Sequence, residues 1–146
     1  MTPGKPGSTG QLLIDGSALS IDTVVEVARG RQQVGVADAA RERMRPAYEA
    51  LEQLRDSDAP VYGVTTGFGA LADTAIAPAD RVTLQRAIVL SHSAGMGPPV
   101  DHEVVRGMIL LRARSLAAGY SGVRPTLVDA MVALLNSDVR PYIPES

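Results

Sequence analysis

The sequence predicts a mainly helical domain with a small α+β region near its N-terminus. Of the 146 residues, 45% are hydrophobic, yet only four Tyr and one Phe are aromatic. The core must therefore consist of Ala, Val, Leu, Ile and Met, the usual filling between packed helices. Capping residues and helix-initiating prolines also recur along the chain at the spacing of short helices.

The N-terminal third carries the signals for the small α+β region. Gly, Pro, Ser and Thr dominate residues 1–10, so we expect a disordered lead with little to bury. After it, short apolar runs indicate strands, while capping residues and terminal glycines bound the helices. In order, we predict a strand at 12–14, a helix from Ser20 or Asp22 to Gly30, a strand at 34–36, and a helix from Asp38 to about Arg55.

Residues 61–77 (VYGVTTGFGALADTAIA) differ in kind from the rest of the chain. Gly63, Gly67 and Gly69 lie within seven positions, and the first charge is Asp73. Such a segment is neither a helix nor a good strand, because glycine favours a backbone with unusual freedom. We predict a mobile loop here.

Three further helices are predicted after the loop. Each begins at a proline or a potential cap, and each ends at a glycine or at polar residues. The predicted helices run from Pro78 to Gly95 or Gly97, from Asp101 to Gly119, and from Pro125 through Leu135. Val104, Val105, Met108, Ile109 and Leu116 are expected to form the apolar face of the second. Residues 140–146 (RPYIPES) are too rich in proline to be helical.

Composition excludes several classes of function. Sixteen acids against 14 bases give a net charge of −2, which argues against a nucleic-acid or anionic-membrane partner. The absence of Cys excludes disulfides and zinc–thiolate sites, and His92 and His102 lack metal-ligand spacing. No phosphate-binding loop, membrane span or signal peptide is evident, so we expect a cytoplasmic protein without a metal or nucleotide.

Tyr62 and His92 are the candidate functional residues that the pattern singles out. Tyr62 opens the glycine-rich loop, where it is either a packing residue or a side chain carried over a pocket. His92 lies near the end of a predicted helix, as either a buried, locally bonded histidine or a polar group facing a pocket. Arg124 is expected to have a structural role in its turn.

Four motifs in order resemble the histidine and aromatic amino-acid ammonia-lyase family. The tyrosine loop of that family is similar to residues 61–69 (VYGVTTGFG), and its following helix is similar to residues 84–95 (LQRAIVLSHSAG). The match continues at residues 116–125 (LAAGYSGVRP) and 133–137 (ALLNS), so that it spans about residues 12–146. Arg114 departs from the Asn that relatives often carry there.

The resemblance implies roles for particular residues. Tyr62 would be the base that removes the β-proton of the substrate, and His92 would meet the substrate's ring. Gly63 would belong to the binding site, and the remaining members of the flexible inner loop would be Thr65, Thr66, Gly67, Phe68 and Gly69. The family uses a methylidene-imidazolone (MIO) made from an Ala-Ser-Gly tripeptide, and its members are mainly helical homotetramers.

This chain contains no Ala-Ser-Gly, which in relatives follows a segment like residues 142–145. The resemblance implies that residues 11–146 are the N-terminal portion of the ammonia-lyase fold, a small α+β cap that leads into a long-helix bundle. The remainder of the polypeptide would be a partner in the site. The MIO tripeptide would then lie beyond residue 146.

The favoured function is the deamination of histidine to urocanate and ammonia. The Ser91-His92 pair resembles both histidine lyases and tyrosine aminomutases, and residues 119–136 lean toward the histidine lyases. The alternatives are a tyrosine 2,3-aminomutase or a tyrosine or phenylalanine ammonia-lyase, toward which Thr65-Thr66 leans. A non-catalytic N-terminal fragment or interaction module is the remaining alternative.

Overall fold

The computed structural model describes residues 10–55, 57, 59–137, 139 and 141–146. Apart from Gly10, the predicted disordered lead at residues 1–10 lies outside this part. The elements are β1 Leu12–Ile14, α1 Ile21–Ala28, β2 Val34–Val36, α2 Asp38–Arg55, α3 Pro78–His92, α4 His102–Ala117 and α5 Pro125–Asn136. The mainly helical fold with a small two-stranded sheet is confirmed.

Local capping chemistry explains most of these boundaries. The Ser20 hydroxyl accepts the Thr23 N–H at 3.1 Å and caps α1. Pro78 and Pro125 occupy the first turn of α3 and α5, where a missing N–H costs nothing. Asp101 precedes α4, but its carbonyl rather than its carboxylate accepts the first N–H groups of the helix.

The end of α3 differs from the prediction, because the helix stops at His92 and not at Gly95 or Gly97. The residues after it pair with the C-terminal tail instead. The Met96 N–H donates to the Ser146 carbonyl at 2.6 Å, and the Glu145 N–H donates to the Pro98 carbonyl at 3.0 Å. These bonds require an extended backbone, so the helix cannot continue through this stretch.

The two strands form a parallel sheet in which Leu12 pairs with Val34 and Ile14 with Val36. Helix α1 is the crossover between them. Asn136, at the end of α5, pairs with β2 through its side chain: its Oδ1 accepts the Val34 N–H at 2.9 Å and its Nδ2 donates to the Val34 carbonyl at 2.7 Å. The amide thus bonds the free edge of β2 as a neighbouring strand would.

One hydrophobic core joins the sheet to α1, α2, α4 and α5. Its buried members are Ile14, Val27, Val34, Val36, Ala40, Met44, Leu110, Ala113, Leu116, Ala117, Val128, Val132 and Leu135. Helix α3 contributes no buried residue to it. Within the described ranges, every helix is too short or too polar to cross a bilayer.

The predicted apolar face of α4 was wrong in part. Val105 and Leu116 are buried as expected, but Val104 and Met108 are about half exposed. The buried stripe instead centres on Arg106 and continues through Leu110 and Ala113. The prediction used apolar residues only and therefore left out Arg106. As a result, the predicted face of α4 points in a different direction from the face that is buried.

Candidate functional site

The glycine-rich loop between α2 and α3 is organised around one carbonyl. The Val61 carbonyl accepts the N–H groups of Val64 and Thr65 at 3.0 Å and that of Thr66 at 3.3 Å. Thr66 then forms an antiparallel bridge with Ala75, so the far arm of the loop returns beside the first. The loop is a closed structure whose turn carries Tyr62, while its predicted mobility stays a prediction.

Tyr62 is exposed over 64% of its surface, and its role as a packing residue or as a side chain carried over a pocket stays a prediction. Its ring meets the Phe68 ring edge to face, with the centroids 5.6 Å apart. Gly63 has a φ of +70°, and a Cβ there would lie 2.8 Å from Phe68 Cε1. Glycine at this position therefore permits both the turn and the ring contact.

The two loop threonines face inward rather than toward solvent. The Thr65 hydroxyl donates to the Ala59 carbonyl at 2.5 Å and accepts the Val61 N–H at 2.8 Å. The Thr66 hydroxyl donates to the Gly67 carbonyl at 3.2 Å. These side chains shape the loop backbone and present no polar atom to a ligand.

His92, the last residue of α3, is exposed in this chain and hydrogen-bonded locally, while its role toward a pocket stays a prediction. Its Nδ1 lies 2.9 Å from the Ile88 carbonyl oxygen. A carbonyl can only accept, so Nδ1 carries the proton of this bond and Nε2 of the neutral ring is left as an acceptor. The Ser91 hydroxyl lies 3.1 Å from the same Nδ1 and donates to the same carbonyl.

The C-terminal tail lies beside the segment that follows His92. Besides the pairing of Met96 with Ser146, the Val100 N–H donates to the Ile143 carbonyl at 2.8 Å, and the Tyr142 hydroxyl donates to the Gly97 carbonyl at 2.7 Å. Gly95 lies so close to the Pro144 ring that a Cβ on residue 95 would clash with it. Residue 146 is thus held against the chain four residues after His92.

A groove of about 850 Å³ lies between α2, the loop and α3. Apolar side chains line it on α3 and α2, among them Val82, Val89 and Leu51, with Gly63 and Val64 from the loop. Gln85 Nε2 donates to the Gly63 carbonyl at 3.4 Å and so links α3 to the turn beside Tyr62. Of the predicted site residues, Gly63 alone lines this groove.

The structure joins Tyr62, Gly63 and Phe68 in one turn but sets His92 apart from it. Gln85, which reaches Gly63, precedes His92 by seven residues, or about 10 Å along a helix. No hydrogen bond between Tyr62 and His92 occurs among the described residues. In this part of the chain, no three His, Cys, Asp or Glu side chains group as a candidate metal site.

Sequence reasoning missed Arg81, which closes the base of the loop. Its guanidinium donates to the Ile76 carbonyl at 3.1 Å and also to the Arg55 carbonyl at the end of α2. A signal was present, since a cation in the first turns of a helix is disfavoured by the helix dipole and needs partners elsewhere. Arg124, by contrast, is exposed at the start of α5.

Comparison with known proteins defines the class. A family described as aromatic amino acid lyase matches residues 19–146. The chain therefore belongs to the aromatic amino acid lyase family.

Two individual relatives show the extent of the similarity. The chain is 46% identical over 135 residues to a histidine ammonia-lyase of Photobacterium profundum, covering 92% of this chain and 26% of the relative. It is 44% identical over 126 residues to that of Deinococcus radiodurans, covering 86% of this chain and 24% of the relative. The chain thus spans about a quarter of the length of these curated relatives.

Solved structures agree with the fold. A tyrosine aminomutase from Streptomyces globisporus superimposes with a TM-score of 0.87 at 33% identity, covering 94% of this chain and 26% of that one. A histidine ammonia-lyase from Trypanosoma cruzi gives a TM-score of 0.82 at 31% identity, covering 94% and 26%. These matches bear out the predicted N-terminal part of the ammonia-lyase fold.

Proposed function

We propose that the protein containing this chain eliminates ammonia from an aromatic amino acid, with histidine as the favoured substrate and urocanate as the product. The observation that carries the proposal is the exposed phenol of Tyr62, held on a closed turn in a chain of the aromatic amino acid lyase family. The relatives named histidine ammonia-lyase support the choice of substrate.

In this proposal Tyr62 is the general base. Its side chain is largely exposed and its ring meets the Phe68 ring edge to face, so its oxygen would be accessible to a substrate bound beside the loop. The phenolate would accept the β-proton of the amino acid while the C–N bond breaks. The loop residues Thr65 to Gly69 would hold the turn and exclude water when substrate is bound.

His92 would recognise the substrate's ring. Because Nδ1 is bound to the Ile88 carbonyl, Nε2 is the nitrogen that a ligand would meet, and it accepts a hydrogen bond. An imidazole N–H or a phenol O–H can donate to it, but a phenyl ring cannot. Phenylalanine would leave this acceptor unpaired and is thus the weakest candidate substrate.

The prosthetic group that the family implies is MIO, which supplies an electrophile for the substrate's amine when present. Its Ala-Ser-Gly precursor is not among the 146 residues. Residues 142–146, which resemble the segment that precedes the tripeptide in relatives, are paired with the segment directly after His92, and this pairing supports a place for the group near His92. This chain would contribute Tyr62 and His92. The remainder of the polypeptide, assembled as a homotetramer, would complete the site.

A tyrosine 2,3-aminomutase is the second candidate. It is favoured by the tyrosine aminomutase structures, with TM-scores of 0.87 and 0.88, and by the pair Thr65-Thr66. The same Tyr62 and His92 would serve it, and the released ammonia would add back at the β-carbon instead of leaving. A tyrosine or phenylalanine ammonia-lyase and a non-catalytic module remain as alternatives for the same test.

The test uses Tyr62→Phe in the full-length protein, with histidine, tyrosine and phenylalanine supplied in turn. We expect loss of ammonia release at an unchanged fold, because only the phenolic oxygen is removed. Tyr120→Phe is the matched control, since Tyr120 is 91% exposed in the turn between α4 and α5. Near-normal turnover by Tyr62→Phe would overturn the base role, and β-tyrosine among the wild-type products would favour the aminomutase.

A further inference from the structure

The Thr65 hydroxyl connects Ala59 and Val61, two of the three residues that precede Tyr62. Thr65 is only 3% exposed, and its Oγ1 donates to the Ala59 carbonyl at 2.5 Å. The same oxygen accepts the Val61 N–H at 2.8 Å. Using both its donor and its acceptor capacity, one hydroxyl thus sets the path of the backbone immediately before Tyr62.

The backbone of Thr65 joins this turn to the far arm of the loop. Its N–H donates to the Val61 carbonyl at 3.0 Å, and its carbonyl accepts the Ile76 N–H at 2.9 Å. Ile76 is held in turn by Arg81, whose guanidinium also reaches the last carbonyl of α2. Thr65 is therefore one of the points through which the flanking helices constrain the turn, besides the bond from Gln85 to the Gly63 carbonyl.

The Tyr62 side chain has little else to set its direction. It is exposed, and the edge-to-face contact with Phe68 is its one ring contact among the described residues. The backbone at 61–63 therefore sets the direction in which the side chain leaves the turn, and the contact with Phe68 orients its ring. We propose that Thr65 is a positioning residue that holds this backbone, and through it the Tyr62 phenol, in the direction needed for proton removal. The inference rests on the base role proposed above for Tyr62.

Two substitutions at position 65 separate the hydroxyl from the shape of the side chain. Valine has nearly the shape of threonine but can neither donate nor accept, so Thr65→Val releases both Ala59 and Val61. Serine retains both bonds, so Thr65→Ser should recover most of what valine loses. Thr23→Val is the matched control, because it removes a hydroxyl that bonds Ser20 at 2.9 Å on α1, away from the loop.

The experiment measures steady-state kinetics and amide hydrogen exchange of residues 59–67 in the full-length protein. Since a misplaced catalytic group costs rate rather than binding, Thr65→Val should lower kcat by roughly 10- to 100-fold with little change in KM. Exchange at 59–67 should rise in Thr65→Val and return toward wild type in Thr65→Ser. Thr23→Val should leave both measurements unchanged.

Several results would overturn the inference, and they differ from failure of the base role. Faster exchange in Thr65→Val with normal kcat, while Tyr62→Phe is inactive, would remove the positioning role and leave Tyr62 as the base. Normal turnover by Tyr62→Phe would remove the base role itself. Should valine fail to fold, Thr65→Ala replaces it. Misfolding of both would also overturn the proposal, because Thr65 would then be a structural residue only.

Discussion

The guanidinium of Arg106 donates a 2.7 Å hydrogen bond to the carbonyl of Leu135, near the C-terminal end of α5. The same group donates to the carbonyls of Val27 and Ala28, which end α1, at 2.9 and 3.0 Å. A cation is favoured at the C-terminal ends of helices, where carbonyls lack intrahelical partners. Arg106 thus joins three helices in the core without a carboxylate partner among these bonds.

Replacement of Arg106 by Met should therefore destabilise the fold. The side chain is 9% exposed, and its loss leaves buried carbonyls of two helix ends without donors. We expect a loss of about 2–4 kcal/mol in the free energy of unfolding. Urea denaturation of the full-length protein measures it, with Arg112→Met on the exposed side of α4 as the control. Equal urea midpoints for the two variants would contradict a stabilising role for the Arg106 hydrogen bonds.

Asn136 should stabilise the sheet edge through both atoms of its amide. Asn136→Ala removes the donor and the acceptor that bond Val34, and should cost about 1–2 kcal/mol. Asn136→Asp keeps the acceptor for the Val34 N–H but places a carboxylate against the Val34 carbonyl, so it should not restore stability near neutral pH. Thermal unfolding of the full-length variants checks this, and full stability of the Asp variant would refute it.

Two glycines with a positive φ should respond differently to alanine. At Gly16, φ is +88° and a Cβ would lie 2.7 Å from the Ala118 Cα, a backbone atom that cannot move independently. At Gly30, φ is +71° but no atom lies within 4 Å. Gly30→Ala should cost only the conformational strain of about 1 kcal/mol, whereas Gly16→Ala should cost clearly more. The unfolding midpoints of the two variants test this prediction. Similar losses of stability in both would contradict the effect of the contact with Ala118.

His92→Phe should change the choice of substrate. It removes the Nε2 acceptor, so turnover of histidine or tyrosine should fall by about 10- to 100-fold while phenylalanine loses nothing. The ratio of kcat/KM values for the three amino acids is the measurement. His102→Phe is the control, because His102 lines a different pocket with Arg29 and Glu103. An unchanged ratio would show that His92 does not recognise the substrate's ring.

Local signals were sufficient for most elements. Ser20, Pro78 and Pro125 act within one helical turn of their own position, so the starts of α1, α3 and α5 could be predicted without knowing what packs against them. The end of α3 could not, because the residues after it bond to a tail that is about 45 residues farther along the chain. The buried face of α4 could not either, because an arginine lies at its centre.

Sequence patterns alone predicted the fold class, the order of the helices, the family resemblance and the two candidate residues Tyr62 and His92. The three-dimensional structure was needed to show that Tyr62 is exposed, that the Thr65 hydroxyl bonds the backbone before it, and that His92 Nδ1 bonds the Ile88 carbonyl. It alone paired residues 142–146 with the segment after His92. This difference arises because caps and turns depend on residues nearby in the sequence. Burial and long-range hydrogen bonds depend on residues that folding brings together from distant parts of the chain.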